Sequence, residues 1–270
     1  LTFPEGVRCS TDIAYADDGI KAHLLDIYRP EDSQEKVLPV IINVHGGGLI
    51  IGNKEFNRYF CALLCKKGFL VYSIEYRLIP DCLIYDQLAD VFMAMDYIKE
   101  RLAADGGDSS HVYMAGDSGG ACLITYANAI QNNTNIARAA NVTPSGLRIN
   151  ALGLISGMFY TSRFDKIGLF LPKYLYGRDY KKTPFAKYVN PENRELLNSL
   201  APVWLVTSHN DFLRRYTTDF EKALTRAERE HELVVFPKNK KLTHAFSVFE
   251  PFLPESSAVI DMMVEYLRKF

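Results

Sequence analysis

The sequence predicts an α/β fold in which a mostly parallel central sheet carries helices on both faces. Three observations lead there. From residue 37 onward, short β-rich apolar runs alternate with longer segments of helical period, the pattern of parallel strands joined by crossover helices. The stretch 112–130 passes from strand through a glycine turn into helix. Finally, 48% hydrophobic and 23% charged residues over a 270-residue chain can build one sizeable core, so a single domain spanning 1–270 is expected.

Taken in order, the first strands begin near Asp12 and Leu24, and Val40-Ile41-Ile42-Asn43-Val44 is a buried strand. Residues 55–67 form a helix closed by Gly68, and residues 69–76 the next strand. Leu88, Val91, Phe92, Met95, Ile98 and Leu102 recur at three- and four-residue steps, giving a helix with one apolar face against the sheet. Val112-Tyr113-Met114-Ala115 is a strand that runs into Gly116, with helix resuming over 121–130, and the polar stretch 132–145 is a surface loop. Later strands fall at 151–155, 203–207 and 233–236, and helices at 217–230 and 256–270. Residues 158–200 are rich in Tyr, Phe, Lys and Pro without periodicity, and are expected to form a small cap or lid insertion.

Composition excludes several functions. With 31 Lys+Arg against 32 Asp+Glu, the chain has no field to gather nucleic acid. No apolar run approaches a membrane span, and the first residues lack signal-peptide character, so a cytoplasmic protein is expected. Because the chain opens on Leu1, a removed targeting segment stays open, as does a homodimer. Cys9, Cys61, Cys65, Cys82 and Cys122 are odd in number and scattered, fitting reduced thiols. Cys61 and Cys65, one helical turn apart, have no His or Cys partners nearby, so no metal is expected.

The chemistry concentrates at Gly116-Asp117-Ser118-Gly119-Gly120. A serine hydroxyl is a poor nucleophile at neutral pH. It must be presented at an exposed turn, deprotonated, and its product oxyanion stabilised. A Gly-x-Ser-x-Gly elbow between strand and helix supplies the first, with Ser118 as nucleophile. The motif alone is modest evidence: 17 glycines give about 0.06 chance matches around the serines. His45-Gly46-Gly47-Gly48 is stronger, at about 0.0015 chance occurrences for six histidines. Its bare backbone lets N–H groups reach the oxyanion, and Gly47 and Gly48 are expected donors together with Gly119.

The acid and the base should follow the serine in that order, each after a late strand. Asp211 and His244 fit. His209 is a rival base and Asp219 a rival acid, although Asp219 falls within a helix. His111 and His231 sit at strand starts, the wrong end of the sheet, and His23 lies in an early strand. His45 braces the glycine loop through its ring. Cys122 packs on the helix that follows the elbow, and Tyr76-Arg77-Leu78-Ile79-Pro80 with Asp90 locks a strand to its helix.

Together, the His45–Gly48 loop, Tyr76-Arg77-Leu78 with Pro80, Asp90, the Ser118 elbow, Asp211-Phe212-Leu213-Arg214 and His244-Ala245-Phe246 resemble the hormone-sensitive-lipase-like group of α/β-hydrolase esterases. The resemblance implies an α/β-hydrolase fold and cofactor-free hydrolysis of short- to medium-chain carboxylic esters, a small-molecule substrate. Three departures stand out. Gly119 replaces the usual Ala, leaving the N–H donor intact. Ala245 replaces Gly beside the base, and the N-terminal extension that builds much of the family's cap is nearly absent. The same triad would serve an amidase or peptidase, and a ligand-binding member of the fold without catalysis is a further alternative.

Overall fold

The computed structural model describes residues 2–33 and 36–270; Leu1, Gln34 and Glu35 lie outside them. Among the described residues eight strands form one sheet in the order β1-β2-β4-β3-β5-β6-β7-β8. β1 (Val7–Ala14) and β2 (Leu24–Pro30) are antiparallel, while β3 (Leu38–Val44), β4 (Leu70–Ile74), β5 (Gly107–Asp117), β6 (Leu152–Ile155), β7 (Val203–Ser208) and β8 (His231–Phe236) run parallel. The unbroken apolar run of β3 reflects burial on both faces. Val40, Ile42 and Val44 enter one core cluster and Ile41 the other.

The helices divide accordingly. α1 (Arg58–Lys66) packs in the cluster of Ile41. α2 (Ile84–Arg101) and α3 (Ser118–Asn132) fill the opposite one, with α4 (Thr134–Ala140) behind them. Within residues 158–200 are α5 (Lys166–Phe170), α6 (Pro172–Tyr176) and α7 (Arg194–Asn198), joined by two short 3-10 turns. α8 (Arg214–Arg226) follows β7. α9 (Phe246–Phe249) and α10 (Pro254–Leu267) close the chain on the α1 side.

Several boundaries differ from the sequence expectation. The stretch 132–145, expected as a loop, holds α4, because Asn133 caps it by accepting from Asn135 N and Ile136 N, and because Ile136, Ala137 and Ala140 are buried. The helix expected over 217–230 begins at Arg214 and ends at Arg226, and a left-handed Glu228 (φ 54°) feeds β8 from His231. The first turn of the 55–67 helix is 3-10. β5 starts five residues before the apolar stretch, on polar residues that periodicity does not mark.

The topology positions the site. From β3 the chain crosses to β4 on one side. From β4 it returns past β3 to β5 on the other. The loops after β3 and β5 therefore diverge at the carboxyl end of adjacent strands, leaving a crevice between them. The His45–Gly48 loop leaves β3 there, and the Ser118 turn leaves β5.

Candidate active site

Ser118 is the first residue of α3, directly after β5, and its backbone is left-handed (φ 50°). A non-glycine residue there is strained, and the surroundings must enforce it. They do so through close backbone packing: a Cβ at Gly120 would lie 2.1 Å from Val44 O, and one at Gly116 2.7 Å from the same oxygen. Among the described residues seven non-glycine residues have positive φ, and four of them, Leu49, Ser118, Ser156 and Ala245, border this site.

His244 Nε2 lies 2.9 Å from Ser118 Oγ, and His244 Nδ1 lies 2.7 Å from Asp211 Oδ1. An ionised carboxylate only accepts, so Nδ1 carries the proton and Nε2 is left to accept from the serine hydroxyl. Asp211 also accepts from Leu213 N and Thr207 Oγ1, both at 2.8 Å. Burial pushes its carboxyl up, but hydrogen bonds and charge from His244, Ser156 and Leu213 outweigh burial and hold it below the usual carboxylate range. Ser208 Oγ donates to Leu242 O, tying the segment before His244 to the end of β7.

The three glycines meet beside the serine. Gly47 and Gly48 have φ of 109° and 64°, conformations that favour glycine. Among the described residues no acceptor takes either N–H. Gly119 lies in the first turn of α3, where N–H groups have no intrahelical partner. An ideal Cβ on Gly119 would lie 3.0 Å from Gly48 N and 2.8 Å from Leu49 N. The glycine at 119 thus does more than leave its N–H intact: it lets the loop close on the helix. All three donors sit at the positive end of a buried 15-residue helix, where negative charge is favoured.

Asp117 fastens the two loops. Its Oδ1 accepts from Gly46 N and Asn57 Nδ2, both at 2.9 Å, while its buried Oδ2 has no hydrogen-bond partner among the described residues. Burial pushes its carboxyl above the usual range, outweighing the help of Asn57, the two nearby imidazoles and Gly46. His45 braces the loop as expected, through Gly46 O at 2.8 Å and Glu75 Oε1 at 2.9 Å, and its ring stacks on Tyr76. Arg77 chelates Asp90, which also takes His23.

The rivals lie elsewhere. His209 borders a separate cleft with Arg163 and Arg215, and Asp219, on α8, is paired with Arg163. His111 pairs with Asp108, and His231 with Thr225 and Glu221. Cys122 is buried. Sequence reasoning passed over Asp117, Thr207, Ser156 and Phe212, whose ring stands 4.3 Å from that of His244. Asp117 and Phe212 carried a signal, their places inside the serine motif and the Asp211-Phe212-Leu213-Arg214 segment.

A cavity of about 550 Å³ opens onto Ser118 and His244. Its walls are Ile50, Met158, Ile167, Leu171 and Leu213, with the glycine loop as its floor. The size suits a small-molecule ligand.

A sequence model described as the alpha/beta hydrolase fold matches residues 41–247. The probable isoprenylcysteine alpha-carbonyl methylesterase ICME of Oryza sativa subsp. japonica is 29% identical over an alignment of 184 residues that covers 64% of this chain and 44% of that protein. Esterase LipQ of Mycobacterium tuberculosis is 32% identical over 120 residues, 44% of this chain and 28% of that protein. The chain thus spans less than half the length of these relatives. Among solved structures, esterase B of Lactobacillus rhamnosis superposes with a TM-score of 0.92 at 22% identity, covering 99% of this chain and 87% of that one, a likeness of fold.

Proposed function

The chain belongs to the alpha/beta hydrolase family, and from that premise we propose that it is a serine carboxylesterase acting on short- to medium-chain esters. The observation that carries this reading is the relay from Asp211 through His244 to Ser118, closed at 2.7 and 2.9 Å beside three converging glycine N–H groups.

In this mechanism Ser118 Oγ attacks the ester carbonyl carbon and gives its proton to His244 Nε2. Asp211 stabilises the imidazolium. The carbonyl oxygen becomes an oxyanion held by the N–H groups of Gly47, Gly48 and Gly119, and losing one such donor costs roughly 3 kcal/mol of transition-state stabilisation. As the tetrahedral intermediate collapses, Nε2 returns the proton to the departing alcohol oxygen, leaving an acyl ester on Ser118. Water then attacks that acyl carbon, gives a proton to Nε2, and a second collapse frees the acid and restores the serine hydroxyl. Residues 158–200 act as the cap: α5 and α6 supply Ile167, Phe170, Leu171 and Tyr174 to the cavity wall. The five free thiols support a reducing compartment, the cytoplasm.

The purified chain should hydrolyse p-nitrophenyl acetate and butyrate, and Ser118→Ala should reduce the rate by more than roughly 10⁴-fold. A Ser118→Ala protein that keeps the parent rate would refute the assignment.

A further inference from the structure

The mouth of the Ser118 cavity is ringed by apolar side chains that stand in water. Ile51, Phe56, Phe170, Tyr174, Phe212 and Phe249 all border the cavity, and Ile51, Phe170 and Phe212 are 64%, 72% and 74% exposed. They come from five separate segments, the loop after β3, the 3-10 turn before α1, the α5–α6 stretch, the loop after β7, and α9. Exposed apolar residues scattered singly are ordinary, but a ring of them around one opening marks a contact surface. The same segment exposes Leu169 on α5 and, two residues before α5, Phe164, which is 92% exposed.

Charge decides what the surface meets. The whole chain carries a net charge of -1, yet residues 158–200 hold eight basic side chains against four acidic ones. Lys166 borders the cavity and Lys173 lies one helical turn from Leu169. Lys238, Lys240 and Lys241 sit on the loop leading to His244. Among the described residues none of these five lysines has an ion-pair partner. The acidic groups nearby are largely engaged. Asp165 accepts from Tyr216 Oη and two backbone N–H groups, and Glu55 pairs with Lys54; Glu250 follows Phe249. An apolar ring with a basic fringe is complementary to a layer with acyl chains inside and anionic headgroups outside.

We propose that this face docks onto an anionic lipid–water interface, with the aromatic ring among the acyl chains and the lysines on the headgroups. An ester-bearing amphiphile would then pass from the lipid phase into an apolar cavity without crossing water. The proposal rests on the esterase reading for that last step, but the docking itself does not.

The test separates the two. Ser118→Ala protein, which turns over nothing, is sedimented with vesicles of phosphatidylcholine alone or mixed with phosphatidylglycerol. Binding to the mixed vesicles should be roughly tenfold greater, and should weaken severalfold as salt approaches about 1 M, where charge is screened within about 3 Å. In the otherwise intact enzyme, Phe164→Ser with Leu169→Ser, and separately Lys173→Glu, all outside the cavity wall, should lower vesicle binding roughly tenfold. Their rates on dissolved p-nitrophenyl acetate should stay at the parent value. Equal sedimentation with both vesicle types, or binding indifferent to these substitutions, overturns the proposal. So does a dimer in sedimentation equilibrium that Phe164→Ser with Leu169→Ser dissociates while vesicles bind nothing, since a second copy would then be the occupant. Vesicle binding by a parent chain that hydrolyses no ester would uphold the docking and refute the esterase reading.

Discussion

Single atoms carry much of the site. At Gly119 an added methyl would meet the backbone of Leu49 and Gly48 at 2.8 and 3.0 Å, too close for either to stay. Alanine improves helix propensity by about 1 kcal/mol, but overpacking costs about 1–3 kcal/mol and moves the loop that presents Gly47 and Gly48. Sterics win: Gly119→Ala should lower kcat for p-nitrophenyl butyrate roughly tenfold through weakened oxyanion contacts, and an unchanged kcat would show that the loop has slack. Asp117 gives a pH signature. Its folded carboxyl titrates above the unfolded value near ~3.9, so the native state binds more protons in that window and its stability falls as pH rises through it. Asp117→Asn removes this loss. Urea-unfolding midpoints at about pH 4 and pH 7 should therefore move in the variant's favour at the higher pH; a pH-independent difference would contradict the shift.

Among the elements, the β5–α3 junction and residues 158–200 depend on each other. Buried Tyr126 on α3 donates to Tyr188 O at 3.1 Å and meets Tyr176 Oη at 3.2 Å, while Tyr176 also meets Thr161 Oγ1 at 2.7 Å. This network holds α6 above the helix that begins with Ser118. Tyr126→Phe should cost about 1–2 kcal/mol in urea unfolding. Because α6 supplies Tyr174 to the cavity wall, the variant should raise KM more than it lowers kcat. A fall in kcat with KM untouched would place the effect on the elbow instead. Tyr126 lies in a helix that the sequence marks clearly, but its partners are some fifty residues away in the segment without periodicity, so no local pattern announces the contact.

At the scale of the whole molecule, one sheet organises both cores, and Cys61 and Cys65 lie in one of them and Cys122 in the other. Cys61, Cys65, Cys82 and Cys122 are buried, and Cys9 alone is half-buried. Burial, then the charge of Asp26, pushes the Cys9 thiol up, which slows its reaction at neutral pH. Ellman's reagent should therefore modify one thiol slowly in the native protein and five in guanidinium, and reducing agent should leave the melting temperature unchanged. Two or more fast native thiols would contradict this packing.

The alternation of strands and helices, the glycine loop, the serine turn and the order Ser118, Asp211, His244 were legible because each leaves a local mark: a period, a rare run of glycines, or a polar residue at the end of an apolar strand. Residues 132–145 do not read as a helix because the seven helical residues, which open on Thr134 and Asn135, are too few to show a period, although Asn133 carries a capping signal. Only the tertiary structure decided that Asp117 joins the two loops, that Thr207 and Leu213 hold Asp211, that Phe212 stands on His244, and that apolar side chains from five segments ring one opening. Except for Thr207 and Leu213, which lie within four residues of Asp211, those relations join residues far apart in the chain. Asp117 meets the glycine loop because the strand order reverses between β3 and β5, bringing the loops after those two strands to the same edge of the sheet.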